Sequence, residues 1–207
     1  MSESATIAMA QAARELASSG VDVVSLSVGE PDFTTPQYIQ EAANKAIADG
    51  HHFYTPVPGI PELRKAIAKK LQTENDIDCD FENIVVSTGA KHSIANAVLS
   101  LVNPGDEVII LAPYWVSYVD IVKYAEGTPV IVSGSMENDF KATAAQVKAA
   151  ITPKTKAIMY SSPSNPAGAL FTKEDLEALA DVVLSKEHLY VIADEIYEYI
   201  NYKDEFD

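Results

Sequence analysis

The sequence predicts an α/β fold in three layers, helix on sheet on helix, around a mainly parallel sheet. Three observations carry this. Short, β-branched apolar runs recur at regular spacing from residue 84 onward, and helical stretches separate most of them. The runs also lack the polar alternation of a sheet with one wet face, so both faces should be covered by helices.

The elements follow in order. The first twenty residues read as an alanine-rich helix with Gly20 at its C′ position. Residues 21–28 read as a short strand or extended segment, closed by Gly29-Glu30-Pro31. Residues 36–50 read as a second helix, with proline near the start and glycine just past the end. Pro56, Pro58 and Gly59 make the stretch 51–59 an irregular surface or active-site loop. Helix resumes over 61–71. The expected strands are 84–86, 108–111, 130–132, 157–160 and 190–193, the last inside the apolar run Leu189-Tyr190-Val191-Ile192-Ala193 and expected to be buried. The expected helices between them are 93–101, 116–124, 143–151 and 172–184. Because the alternation has not begun before residue 41, residues 1–40 are expected to form an N-terminal segment, and 41–207 a larger domain.

Composition limits what the chain can do. Its 207 residues suffice for one good core or one and a half domains. With 47% hydrophobic and 22% charged residues it is an ordinary globular sequence, which excludes disorder. A net charge of −15 argues against binding a nucleic-acid backbone. It does not exclude a small anion, because aligned backbone amides can outweigh the global field locally. Cys79, flanked by Asp78 and Asp80, has no disulfide partner and is expected to be structural or superficial. The start Met1-Ser2-Glu3-Ser4 has no secretory pattern, and no apolar stretch approaches the roughly 20 residues of a membrane span. A cytoplasmic protein without a membrane contact is the expectation.

Four segments follow expected strands and should emerge at one edge of a parallel sheet. They are Ser87-Thr88-Gly89-Ala90-Lys91, Ala112-Pro113-Tyr114-Trp115, residues 161–168, and Asp194-Glu195-Ile196-Tyr197. A small-residue turn entering a helix offers free N–H groups to a phosphate. Trp115, the only tryptophan, offers a flat face to an aromatic ring. Asp194 can hold a proton on a ring nitrogen, while Asn165 and Tyr197 can donate to an anionic oxygen. A phosphorylated, nitrogen-containing aromatic with a phenolate oxygen fits that set, and pyridoxal 5′-phosphate is such a molecule.

Each residue alone has an ordinary explanation. Asp194 could cap a turn at a strand end, Asn165 could be a turn former before proline, and Trp115 could be core. Lys91 could be solvated and Tyr54 could be loop packing. Their placement at a single sheet edge favours a pocket. His51 and His52 are adjacent and point apart on an extended chain, with no third ligand nearby, so no metal site is expected.

At this point the residues carry a resemblance. Residues 27–33 (Ser-Val-Gly-Glu-Pro-Asp-Phe), Tyr54-Thr55-Pro56, Gly89-Ala90-Lys91, residues 113–118, Ser162-Pro163-Ser164-Asn165-Pro166 and residues 194–198 occur in order. Together they resemble the class I pyridoxal-phosphate aminotransferases of fold type I, and within them the bacterial aspartate aminotransferases. Any one of these tripeptides is weak; six in sequence, over nearly the whole chain, are specific. The resemblance implies that Gly89, Ala90 and Lys91 bind the cofactor phosphate, that Trp115 stacks on the ring, and that Asn165 and Tyr197 bond its phenolic oxygen. Asp194 would hold the ring nitrogen protonated. Tyr54 would reach the phosphate of a partner subunit in a homodimer. Gly29, with Trp115 and Asn165, would meet the substrate, an amino acid or 2-oxo acid. Residues 1–40 would be part of a small domain or arm.

Some of the family pattern is unmatched. The aldehyde-binding lysine and the carboxylate-gripping arginine of the family fall beyond Asp207, so no catalytic residue is assigned within the chain. Leu184-Ser185-Lys186 echoes the lysine turn but precedes the Asp194 strand and closes a helix. Ala167 and His92 replace a usual threonine and glutamine. The expected activity is transamination by ancestry, with the 207-residue chain not competent alone. The alternative is an inactive fragment that binds the cofactor or dimerises without turnover. A regulator with an aminotransferase-like domain would need a helix-turn-helix arm, which the sequence does not contain.

Overall fold

The computed structural model of the protein describes residues 5–26, 29 and 33–200. Residues 203–207, which read as a solvated tail, and Ser27, Val28, Glu30, Pro31 and Asp32 of the first motif, lie outside them. Two compact units result, one within residues 2–87 and one within 88–207.

In the first unit, α1 (Ala5–Ser18) ends at Gly20, whose φ of 87° fits the left-handed C′ position expected of it. Residues 21–26 form no strand. Helix α2 (Gln37–Ala48) and helix α3 (Pro61–Glu74) follow, the latter with Pro61 in its first turn, where a missing N–H costs nothing. The expected strand at 84–86 is not formed. Its backbone groups are taken elsewhere: the Val86 amide donates to the Pro58 carbonyl at 2.9 Å, and Arg64 Nε donates to the Ile84 carbonyl at 2.9 Å. An apolar β-branched run becomes a strand only when a ladder partner is available, and here a loop and a guanidinium hold that place.

The second unit holds the sheet. In chain order it comprises α4 (Ala90–Leu101), β1 (Glu107–Ala112), α5 (Ser117–Tyr124), β2 (Thr128–Ser133), α6 (Ala144–Ala150), β3 (Thr155–Ser161), α7 (Lys173–Leu184) and β4 (Tyr190–Asp194). The strands are ordered β2-β1-β3-β4, every pair parallel. Ile109 stands opposite Val130 on one side and Ile158 on the other, while Ser161 stands opposite Asp194.

Successive residues of β1 supply both faces. Val108 and Ile110 pack with Ile94 and Val98 of α4 and with Tyr118 and Val122 of α5. Ile109 and Leu111 pack with Val147 of α6 and with Leu179 and Val182 of α7. This is the two-sided burial that the unalternating apolar runs predicted. Each fully buried aliphatic side chain contributes roughly 1.5–3 kcal/mol. Helices α6 and α7 are started by reciprocal caps, Thr143 with Gln146 and Thr172 with Asp175, in each of which the threonine hydroxyl accepts the amide three residues on.

One expectation about the sheet is corrected. The strand ending at Asp194 was expected to be buried, yet β4 is one of the two edge strands of the four, with Tyr190 and Val191 exposed at 44% and 45%. Ile192 and Asp194, pointing to the α4 side, are half-buried.

The order β2-β1-β3-β4 has a consequence for the site. From β1 the chain leaves through α5 on one face, and from β3 it leaves through α7 on the other. The connections after these two neighbouring strands therefore diverge, opening a crevice beyond their carboxyl ends, where open α/β sheets hold ligands.

Candidate active site

The loop after β1 carries Pro113, Tyr114 and Trp115, and the loop after β3 carries Asn165. The Ser164 hydroxyl reaches the Pro113 carbonyl at 3.5 Å, so the two loops meet at the crevice. Asp194 ends β4, and its carbonyl accepts from the Ser162 amide at 3.2 Å. Asn165 Nδ2 donates to the Tyr197 hydroxyl at 3.3 Å.

Helix α4 begins beside them. Gly89 is its N-cap, at φ 82° and ψ 160°, a conformation essentially confined to glycine. A Cβ there would meet nothing within 4 Å, so the position requires the torsion and not the space. The helix starts one turn earlier than the expected residue 93, which puts the amides of Ala90 and Lys91 at its first two positions. Such amides have no acceptor within their own helix and carry the positive end of its dipole. The Lys91 side chain turns over the Trp115 ring, its ammonium 4.8 Å from the centroid.

Asp194 is held from two directions. The Tyr118 hydroxyl donates to Oδ2 at 2.6 Å, and the Ile196 amide donates to Oδ1 at 3.3 Å. Tyr118 is fully buried and lies edge-on to Trp115, ring centroids 5.8 Å apart and planes at 88°. Burial, and then the hydrogen bond to Asp194 and its charge, push the phenol's pKa far above its ordinary value. Tyr118 is therefore a proton-bearing donor throughout the working pH range. Tyr118 closes the 113–118 motif, which by itself assigns it no role. A signal existed: it lies three residues after Trp115 at the start of a helix, and a buried tyrosine hydroxyl needs a partner.

Of the residues singled out from sequence, contacts link Lys91, Trp115 and Asp194 through Tyr118, and Asn165 to Tyr197. Gly89 and Ala90 form the start of α4. Tyr54 and Gly29 belong to the other compact unit, where Tyr54 is fully exposed in its loop and Gly29 is exposed. Cys79 is a free, half-buried thiol. No cluster of metal-ligating side chains occurs among the described residues, and no helix among them is long and apolar enough to cross a membrane.

The pattern that defines "Aminotransferase class I and II" matches residues 21–207. The chain belongs to that family. It is 51% identical to the probable aspartate/prephenate aminotransferase of Rhizobium leguminosarum bv. phaseoli, over 97% of this chain and 50% of the relative. It is 47% identical to the aspartate aminotransferase of Geobacillus stearothermophilus, over 98% of this chain and 51% of the relative. Among solved structures, the aspartate aminotransferase from Thermus thermophilus with maleate superposes with a TM-score of 0.95 at 45% identity, covering 99% of this chain and 53% of the other. The chain spans about half the length of the curated relatives it matches.

The cofactor of this aminotransferase family is pyridoxal 5′-phosphate, and the second unit carries donor and acceptor types that fit it. Two helix-start amides suit a phosphate, an indole suits a ring, and an amide with a phenol suits a phenolate oxygen. A carboxylate whose known donors are all neutral suits a protonated ring nitrogen.

Proposed function

We propose that this aminotransferase chain carries the cofactor pocket of a transaminase that moves amino groups between amino acids and 2-oxo acids, aspartate among them. The observation that carries the reading is Asp194, fixed by Tyr118 and the Ile196 amide beside Trp115 at the carboxyl edge of the sheet. In this reading Gly89, Ala90 and Lys91 bind the phosphate through backbone N–H groups. Trp115 stacks on the ring, Asn165 and Tyr197 donate to the phenolic oxygen, and Asp194 keeps the ring nitrogen protonated. Trp115 and Asn165 also border the substrate, whose carboxylate Gly29 approaches. Tyr54 reaches the phosphate of a partner subunit, which makes the assembly a homodimer, cytoplasmic in location. Residues 1–40 belong to a small domain or arm, and 41–207 to the large domain.

The chemistry the cofactor supplies is an electron sink for the pair left when the substrate Cα loses its proton. The residues of this chain bind and orient; none is assigned the proton transfer itself. The same pocket would bind without turnover in a chain that offers no aldehyde-binding lysine.

Borohydride reduction separates these readings. The chain is mixed with pyridoxal phosphate, reduced, and its mass measured, with binding followed in parallel by dialysis. Stoichiometric labelling of one lysine supports a catalyst. Saturable binding without labelling supports the inert pocket, and the absence of saturable binding overturns the cofactor reading.

A further inference from the structure

Among the described residues, Tyr118 is the one fully buried side chain with a polar group that touches the site, and the proposed cofactor contacts leave it without a role. Its ring abuts Trp115 and its hydroxyl donates to Asp194 Oδ2. The terminal torsion of an aspartate is broad and settles where its partners place it. With Tyr118 on one oxygen and the Ile196 amide on the other, the carboxylate of Asp194 has a defined plane.

The chemical type of the partner matters as much as its position. An arginine or lysine here would orient the carboxylate but would also cancel its charge and compete with a cationic ring. A buried phenol, kept protonated by its surroundings, orients without neutralising. Since Tyr118 also packs against Trp115, one side chain sets both the plane of the carboxylate and the tilt of the indole.

We propose that Tyr118 is a positioning residue for the cofactor ring, aiming the undiminished charge of Asp194 at the ring nitrogen while holding Trp115 against the ring face. This rests on the cofactor reading of the site. Its mark is energetic coupling: the hydroxyl of Tyr118 should matter to cofactor binding only while Asp194 is present.

The test is a double-mutant cycle read by pyridoxal-phosphate affinity, with Trp115 fluorescence as signal and circular-dichroism melting to establish folding. Y118F is expected to weaken binding roughly tenfold in the Asp194 background and less than twofold in the D194A background. Where Y118F fails to fold, Y118M repeats the cycle with a flexible apolar side chain that also lacks the donor. An equal loss in both backgrounds makes Tyr118 a packing residue and overturns the inference, leaving the cofactor reading intact. Absence of binding by the unmutated chain overturns the cofactor reading and this inference with it.

Discussion

Asn165 Nδ2 donates to the Tyr197 hydroxyl at 3.3 Å, joining the loop after β3 to the turn after β4 across 32 residues of sequence. In the proposed pocket the two side chains would act on one oxygen of the ligand as a unit. N165A and Y197F are each expected to weaken pyridoxal-phosphate binding roughly 3- to 10-fold, and the double variant by less than the product. Fluorescence titration of the four proteins checks this; strict multiplication of the two losses would show the pair to be independent.

In the proposed pocket Asp194 would offer a charge-assisted bond to a cationic ring nitrogen. D194A should lower cofactor affinity about 10- to 100-fold, whereas D194E, longer by one methylene and displaced from the Tyr118 hydroxyl, should recover only part of it. Equilibrium dialysis against the labelled cofactor decides, and unchanged affinity in D194A would remove the carboxylate from the site.

Gly89 holds φ 82° and ψ 160° at the start of α4. G89A has room for its methyl but not the torsion, so it should cost about 1–3 kcal/mol of strain or shift the helix start. A lowered melting temperature together with loss of inorganic-phosphate protection is the expected result. An unchanged melt with intact phosphate protection would mean that the helix start does not depend on that torsion.

Lys141, buried at 8% exposure, places its ammonium 2.5 Å from Asp175 Oδ2. Burial acts to raise the Asp175 pKa, but the hydrogen bond from Lys141 and the Thr172 amide outweigh it, so the carboxyl lies below its ordinary value. A depressed folded-state pKa contributes stability above the unfolded value, near 3.9, and loses it as pH falls through the folded value. D175N, which leaves Lys141 buried without its counter-charge, should cost roughly 1–3 kcal/mol at pH 7. Urea unfolding from pH 7 to pH 2 should show the gap between the two proteins holding to about pH 5 and narrowing below pH 4. A gap independent of pH would mean that the ion pair is not its source.

Much of the second unit was legible because its information is local. Val108 to Leu111 announce a two-faced strand by being apolar at every position, and Thr143 with Gln146, or Thr172 with Asp175, announce helix starts by their spacing. Asp194, Trp115 and Asn165 were legible as a group because parallel strands bring their carboxyl ends together. What was not legible depends on partners distant in sequence. Ile84-Val85-Val86 has the composition of a strand, and only the positions of Pro58 and Arg64 show why it is not one. Tyr118 and Asp194 are 76 residues apart, so no spacing rule could pair them. The exposure of β4 follows from its place at the end of the strand order, which no periodicity within the strand encodes.

That outermost place has a consequence for how the site breathes. Among the described strands β4, like β2, is laddered on one side only, and its Tyr190 and Val191 are exposed, so fraying of that edge should carry the Asp194 carboxylate out of register with it. A guest that grips the carboxylate would work as a clasp on the sheet's margin, slowing amide exchange along residues 190–194 far more than in β1. Occupancy and the rigidity of that border would then rise and fall as a single quantity.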